Sequence, residues 1–247
     1  MKPSPVPVPL PRFPRGFSLT ELLVVIVIIV VLASLAMVGM KRMRAIADKA
    51  STVRSLSQLQ VANASYASDH SGRYVSYQVM DKNGNRAGWW YQSPEFLKYF
   101  RGEVYNAQGA PSRTVPLSML DPKVVRAKVD NFHKSMAGSF GMNNTGLPNV
   151  VGKPDAEAFH TMANVARPAQ SMAFASATDV RLAYSARFSW KGIEGKTSNG
   201  AIAYRHGDKA IVVYFDGHVG ELTKGDMRQI DNTGRGGNGP FWNPKSK

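Results

Sequence analysis

The 247 residues contain no cysteine, so no disulfide closes a loop and thiol chemistry is excluded. Acid is scarce as well, with 17 Asp and Glu against 31 Lys and Arg and a net charge of +14. Such a surplus suits anionic partners such as lipid headgroups, acidic polysaccharide or DNA, and does not choose among them. Charge of either sign is missing from Leu22 to Val38, and proline and glycine are missing from Lys41 to Ser68. Those two gaps remove loop and turn signals from most of the first 70 residues and point to helix. The five histidines are scattered, and 43% hydrophobic residues is ample for one packed core in one or two domains.

Thirteen of the seventeen residues from Leu22 to Val38 are Leu, Ile or Val. At roughly −0.3 to −0.6 kcal/mol each they favour membrane insertion by about −4 to −8 kcal/mol. Glu21 opposes this by at most roughly +2.5 to +3.5 kcal/mol, so the segment inserts. Val24 to Val31 is an unbroken β-branched run, but the 24 residues from Phe17 to Met40 carry no turn signal until Gly39. A lone strand cannot satisfy its backbone in lipid, so the reading is a helix of about 36 Å, enough to span a bilayer. Residues 1–16 hold six prolines and read as an extended leader. Lys2, Arg12 and Arg15 before the span nearly balance Lys41, Arg42 and Arg44 after it, so charge leaves its orientation open. Ser18-x-x-Glu21 also fits a capping box, and Ser34-x-Ala36 could pass as the small-residue cleavage site of a secretory signal.

A carboxylate in the first turn of an insertion helix is placed to meet a cation, and a free amine on Phe17 is the nearest candidate if the chain is cut after Gly16. Gly16-Phe17-Ser18-Leu19-Thr20-Glu21 followed by an apolar helix closely resembles the type IV prepilin cleavage and methylation motif, shared by type IV pilins and the pseudopilins of type II secretion systems. The resemblance implies that a prepilin peptidase cuts between Gly16 and Phe17 on the cytoplasmic face and that the Phe17 amine is methylated. It further implies that Glu21 pairs with the Phe17 amine of a neighbouring subunit in a fibre. The chain departs from relatives that close a C-terminal loop with a disulfide or carry a proline in the middle of the helix.

From Lys41 to Ser68, apolar residues recur at Ile46, Ala50, Val53, Leu56, Leu59, Ala62 and Tyr66, a helical stripe continuous with the span apart from possible softening at Gly39. The whole helix would run about 75 to 80 Å. His70 to Tyr74 ends it and an extended run follows over Tyr74 to Val79. Asp81 to Asn85 predicts a hairpin turn into Gly88 to Tyr91. Asp81, Asn83 and Asn85 alternate like the start of a calcium loop, but the glycine is misplaced and no closing glutamate follows. Arg86, Trp89 and Trp90 form a candidate ligand contact able to stack on bases or sugars, although such a cluster more often alternates between core and surface along a strand. Pro94 to Phe100 reads as a helix capped by Ser93, and 101–168 as irregular loops with one or two strands. Ser171 to Ala175 reads as a strand. Ala201 to Tyr204, Ala210 to Phe215 and His218 to Leu222 read as a three-stranded meander turned at Arg205 to Asp208 and at Asp216-Gly217. Arg205-His206-x(9)-Asp216-Gly217-His218-Val219 is similar to the closing segment of prepilin-like proteins from planctomycete and verrucomicrobial bacteria. Phe241 to Pro244 would end the chain against the head or in solvent.

The expected architecture is α+β and pilin-like, a long N-terminal spine helix packed on an antiparallel β-sheet head. Its parts are a cleaved leader over 1–16, a transmembrane and polymerisation helix over 17–40, an amphipathic half over 41–70 and a head over 71–247. The function this implies is that of a structural subunit of a type IV pilus-like or type II secretion fibre, with no reaction and no cofactor of its own. It would sit in the inner membrane with a periplasmic head before entering the fibre. Implied partners are prepilin peptidase, an assembly platform and ATPase, and copies or homologues of itself. Two other classes compete: a minor pilin-like adhesin or DNA-binding subunit using the basic head, and a membrane-anchored hydrolase using His206 and Asp216. His206, Asp216 and His218 could also bind zinc, but Asp216-Gly217 is what a tight hairpin requires and no nucleophile sits at a recognisable spacing.

Overall fold

A computed structural model describes residues 18–102, 115–127, 135–195, 200–233 and 236–246. The expected leader and the Gly16-Phe17 junction lie outside the described residues. The chain divides into two compact units, Met1–Arg44 and Ala45–Lys247, and helix α1 (Leu19–Asp69) contributes to both.

In the first unit α1 is continuous through Gly39, with an 18-residue window of mean hydropathy 3.2 and none of it buried. Side chains from Leu22 to Leu32 are each 43–66% exposed. Apolar side chains left open on every face of a helix are the signature of a segment that takes lipid or other helices as its solvent.

In the second unit the buried face of α1 carries Leu56, Leu59, Ala62 and Ala67, together with the polar Asp48, Thr52, Ser55, Gln60 and Asn63. Each long polar group has a fixed partner. Gln60 Nε2 donates to Phe215 O at 2.8 Å, Asn63 Oδ1 accepts from Val75 N at 3.1 Å, and Asp48 pairs with Arg126. Ile46 is 65% exposed and Ala50 is exposed too, so the first two positions of the expected stripe face outward and polar residues stand in the buried row.

The strands form two sheets. In the smaller, β1 (Gln78–Met80) lies between β2 (Arg86–Trp89) and β4 (Glu157–Ala158), antiparallel to both. The β1 to β2 turn closes as expected, with Asp81 Oδ1 accepting from Asn83 N and Asn85 N at 2.8 and 2.9 Å. That carboxylate oxygen is thus taken by the turn. The run expected from Tyr74 is strand only from Gln78. Helix α2 (Pro94–Arg101) starts with Ser93 Oγ accepting from Phe96 N. Short helices α3 (Pro122–Arg126) and α4 (Met136–Ser139) lead into β3 (Phe140–Asn143).

The larger sheet has the order β6-β3-β5-β7-β8, with β5 Met172–Ser176, β6 Arg181–Leu182, β7 Lys209–Tyr214 and β8 Val219–Thr223; helix α5 (Lys224–Thr233) follows. It is mixed and not wholly antiparallel, because β6 runs parallel to β3. After β5 the chain arches over β3 and returns on its far side, which reverses it relative to β5. The arch passes so close to Gly141 that a Cβ there would lie 2.8 Å from Ala177 Cβ and 2.9 Å from Asp179 O. The expected meander also loses its first strand: Ile202 makes only an isolated bridge to Ala177, and the second neighbour of β7 is β5. Alternate residues of β7 enter two cores, Ile211 and Val213 with Leu56, Leu59 and Phe174 on one face, Ala210 and Val212 with Met227, Phe241 and Trp242 on the other. Burial on both faces explains why β7 reads as one unbroken apolar run. The C-terminal tail closes the second core, with Phe241 O accepting from Met172 N at 3.0 Å and Trp242 wholly buried.

His160 is also wholly buried, beside Phe215. Burial first, and the nearby charge of Lys245 second, push its imidazole down to about 4. The folded head therefore holds His160 neutral, and the unfolded chain takes up a proton below about pH 6.5. Its contribution to stability is complete above pH 6.5 and is lost as pH falls from there towards 4, up to about 3 kcal/mol. Urea melts at pH 7 and pH 4.5 should show this loss, and His160→Phe, which keeps a ring but not the proton, should flatten it. An unchanged slope in His160→Phe would assign the acid sensitivity elsewhere.

Candidate functional site

The N-terminal motif is built by the first turn of α1. Ser18 N donates to Glu21 Oε2 at 2.9 Å, and Glu21 N donates to Ser18 Oγ at 3.1 Å. Two otherwise unpaired amides are satisfied reciprocally, and the carboxylate stands at the positive end of the helix dipole. The capping-box reading and the assembly reading meet on one residue, since a carboxylate bonded through Oε2 retains Oε1 for a cation. Gly16 and Phe17 lie outside the described residues.

In the head the aromatic pair splits. Trp90 is wholly buried, and its indole N–H donates to Val180 O at 2.8 Å; a ligand contact through Trp90 is corrected to a core position. Trp89 is partly exposed, with the Arg86 guanidinium 4.0 Å from its ring centroid. It lines an open groove of about 460 Å³ with Val79, Gly88, Pro94, Glu95 and Lys98. Its backbone N–H is already taken by Gln92 Oε1 at 3.0 Å.

His206 separates from Asp216 and His218. Strand β7 lies between His206 and Asp216, and its six residues span about 20 Å. His206 Nε2 lies 3.1 Å from Oδ2 of the wholly buried Asp121, and Asp216 Oδ1 lies 2.6 Å from His218 Nδ1 in the exposed turn. His206 and Asp216 therefore do not form one site: each has a different partner. Among the described residues no group of three or more His, Cys, Asp or Glu could hold a metal ion.

Sequence reasoning missed the centre of this region, Arg205. Its side chain is 1% exposed. Nε and Nη2 grip Glu194 at 2.9 Å each, while Nη1 and Nη2 donate to Ser139 O, Gly138 O and Ala177 O at 3.0, 2.6 and 2.8 Å. Asp121 stands 3.9 Å from Nη1 and caps α3 through Lys123 N. Burial works to raise the Asp121 carboxyl, but the bond to His206 and the charge of Arg205 outweigh it and hold it below the ordinary carboxylate range. The network satisfies buried charge and ties distant segments together, with the Ser139 hydroxyl accepting from Asp121 N at 3.3 Å, which makes it a structural clamp. The one sequence signal was a polar Arg205-His206 pair directly after an apolar run, which a turn explains equally well.

Residues 12–37 match the family model of the prokaryotic N-terminal methylation motif. The match ends there, so it does not show the similarity of the Arg205 to Val219 segment to planctomycete and verrucomicrobial proteins. No curated protein and no solved structure matches the chain. With its long N-terminal helix followed by an α+β head, the chain carries the N-terminal motif of a type IV pilin-like precursor.

Proposed function

We propose that this protein is a structural subunit of a type IV pilus-like or type II secretion fibre, cut between Gly16 and Phe17 by a prepilin peptidase and methylated on the new Phe17 amine. The observation that carries the reading is the pairing of Ser18 and Glu21 at the head of an uncharged helix segment that is unburied among the described residues. Before assembly the helix would anchor the chain in the inner membrane with the head periplasmic. An assembly platform and its ATPase would then draw it into a bundle of copies or homologues, where Glu21 meets a neighbour's Phe17 amine. The motif is one carried by structural proteins, which supports a structural role.

Mass spectrometry of the protein from its native membrane tests this directly. The expected mature chain begins at Phe17 and is one methyl group heavier than the cut sequence. A chain beginning at Met1, or one cut within Ser34 to Met37, would overturn the proposal.

A further inference from the structure

The second unit carries a cleft that fibre formation does not require. It measures about 600 Å³ and is lined by Trp190, Lys191, Tyr204, Asp208, Thr223 and Lys224, together with backbone at Gly192 and Gly225. The volume suits a ligand of one or two sugar rings. One wall is the segment before Gly195, and the other is the junction of β8 with α5.

The two walls are fixed relative to each other. Lys224 Nζ donates to Trp190 O at 3.3 Å and stands 5.5 Å from the Tyr204 ring centroid. From the interior, Arg205 lies 5.5 Å from the Trp190 ring centroid and grips Glu194 with two bonds of 2.9 Å. The buried clamp that looked purely structural thus also holds the wall that bears Trp190 and Lys191.

The chemistry selects the ligand. An indole ring offers an apolar face to the C–H side of a sugar, while Lys191 and Lys224 offer ammonium groups to carboxylates. Asp208 offers acceptors to hydroxyls, while the Thr223 hydroxyl donates to Asp226 Oδ2 at 2.8 Å and fixes the start of α5. Arg228, 5.3 Å from the Phe188 ring centroid, adds a further cation on α5. After residue 44 the chain has 25 Lys and Arg against 16 Asp and Glu, a charge of +9, which draws polyanions at long range. A single lining indole is not the repeated stacking platform that single-stranded nucleic acid uses. We propose that this cleft binds an acidic polysaccharide of the uronate type, whether or not the chain enters a fibre.

The test is titration of the full chain in detergent micelles with oligogalacturonate, beside neutral dextran and a single-stranded DNA oligonucleotide, at low and high salt. Oligogalacturonate should bind, and more weakly as salt rises. Trp190→Ala and the Lys191→Ala/Lys224→Ala pair should each weaken binding by about tenfold or more, the size of a central contact. Trp190→Phe should retain most of the affinity, Lys245→Ala should change nothing, and unchanged melting temperatures would confirm that the variants fold. No binding at low salt, equal binding of dextran, or Trp190→Ala binding like the parent chain would overturn the proposal. So would DNA binding more tightly than oligogalacturonate and weakening in the same variants, which would reassign the cleft to nucleic acid.

Discussion

Glu21→Ala is expected to leave the chain in the membrane and out of any fibre. Two effects of Glu21 must be separated. Locally it accepts from Ser18 N, and losing such a cap costs about 0.5–2 kcal/mol of helix stability. That frays one turn of a 51-residue helix and does not stop it inserting. The other effect is the carboxylate's charge, which is costly near lipid by up to about 2.5–3.5 kcal/mol. On the proposed assembly, that cost would be relieved where a neighbour's Phe17 amine meets it. Removing the charge makes the lone subunit content in the bilayer and withdraws the gain on bundling, a shift of about a hundredfold against assembly. Glu21→Gln distinguishes the two effects, because its amide oxygen can still accept from Ser18 N while the charge is gone. Both variants should be present at normal level in the membrane fraction and nearly absent from sheared or secreted fibre. If Glu21→Gln assembled as well as the parent, capping and not charge would be the role of this residue.

The parts of the fold legible in the sequence are those set by local rules. The Ser18-x-x-Glu21 box, the uncharged run behind it and the Asp81 to Asn85 turn each depend on residues within a few positions of one another. The adjacent tryptophans could be read as alternating between core and surface, and Trp90 is the inward one. What stayed hidden depends on distant partners. The buried polar row on α1 depends on partners such as Phe215 O, which Gln60 reaches 155 residues away, and no periodicity reveals such an acceptor. The same holds for Ile202, whose bridge to Ala177 gives an apolar run the look of a strand without a ladder. It holds also for β6, whose place beside β3 depends on the arch over Gly141. In the candidate sites, the pairing of Ser18 with Glu21 was legible and the Trp190 cleft was not, because its walls come from three segments distant in sequence, with Lys224 reaching Trp190 O and a buried arginine holding Glu194.

That arginine carries the other large expected effect. Arg205→Ala should destabilise the head by about 3–5 kcal/mol, the size seen when one member of a buried charge pair is removed. The reason lies in what is left behind. Asp121, wholly buried, keeps His206 but loses its closest guanidinium; Gly138 O and Ala177 O lose the Arg205 donor, and Ser139 O loses one of its two donors, keeping Ala177 N. A domain of this size is stable by about 5–15 kcal/mol in all, so the variant should melt many degrees lower or fail to accumulate. Arg205→Lys should recover little, because a compact ammonium cannot grip Glu194 with two nitrogens and reach three carbonyls at once. Glu194→Gln is the milder probe, since Glu194 is 17% exposed and its amide oxygen can still accept one of the two bonds. Chemical melts of the three variants should therefore rank Arg205→Ala lowest, Arg205→Lys close to it and Glu194→Gln near the parent. Arg205→Ala melting like the parent would mean that the buried network contributes nothing to the stability of the head.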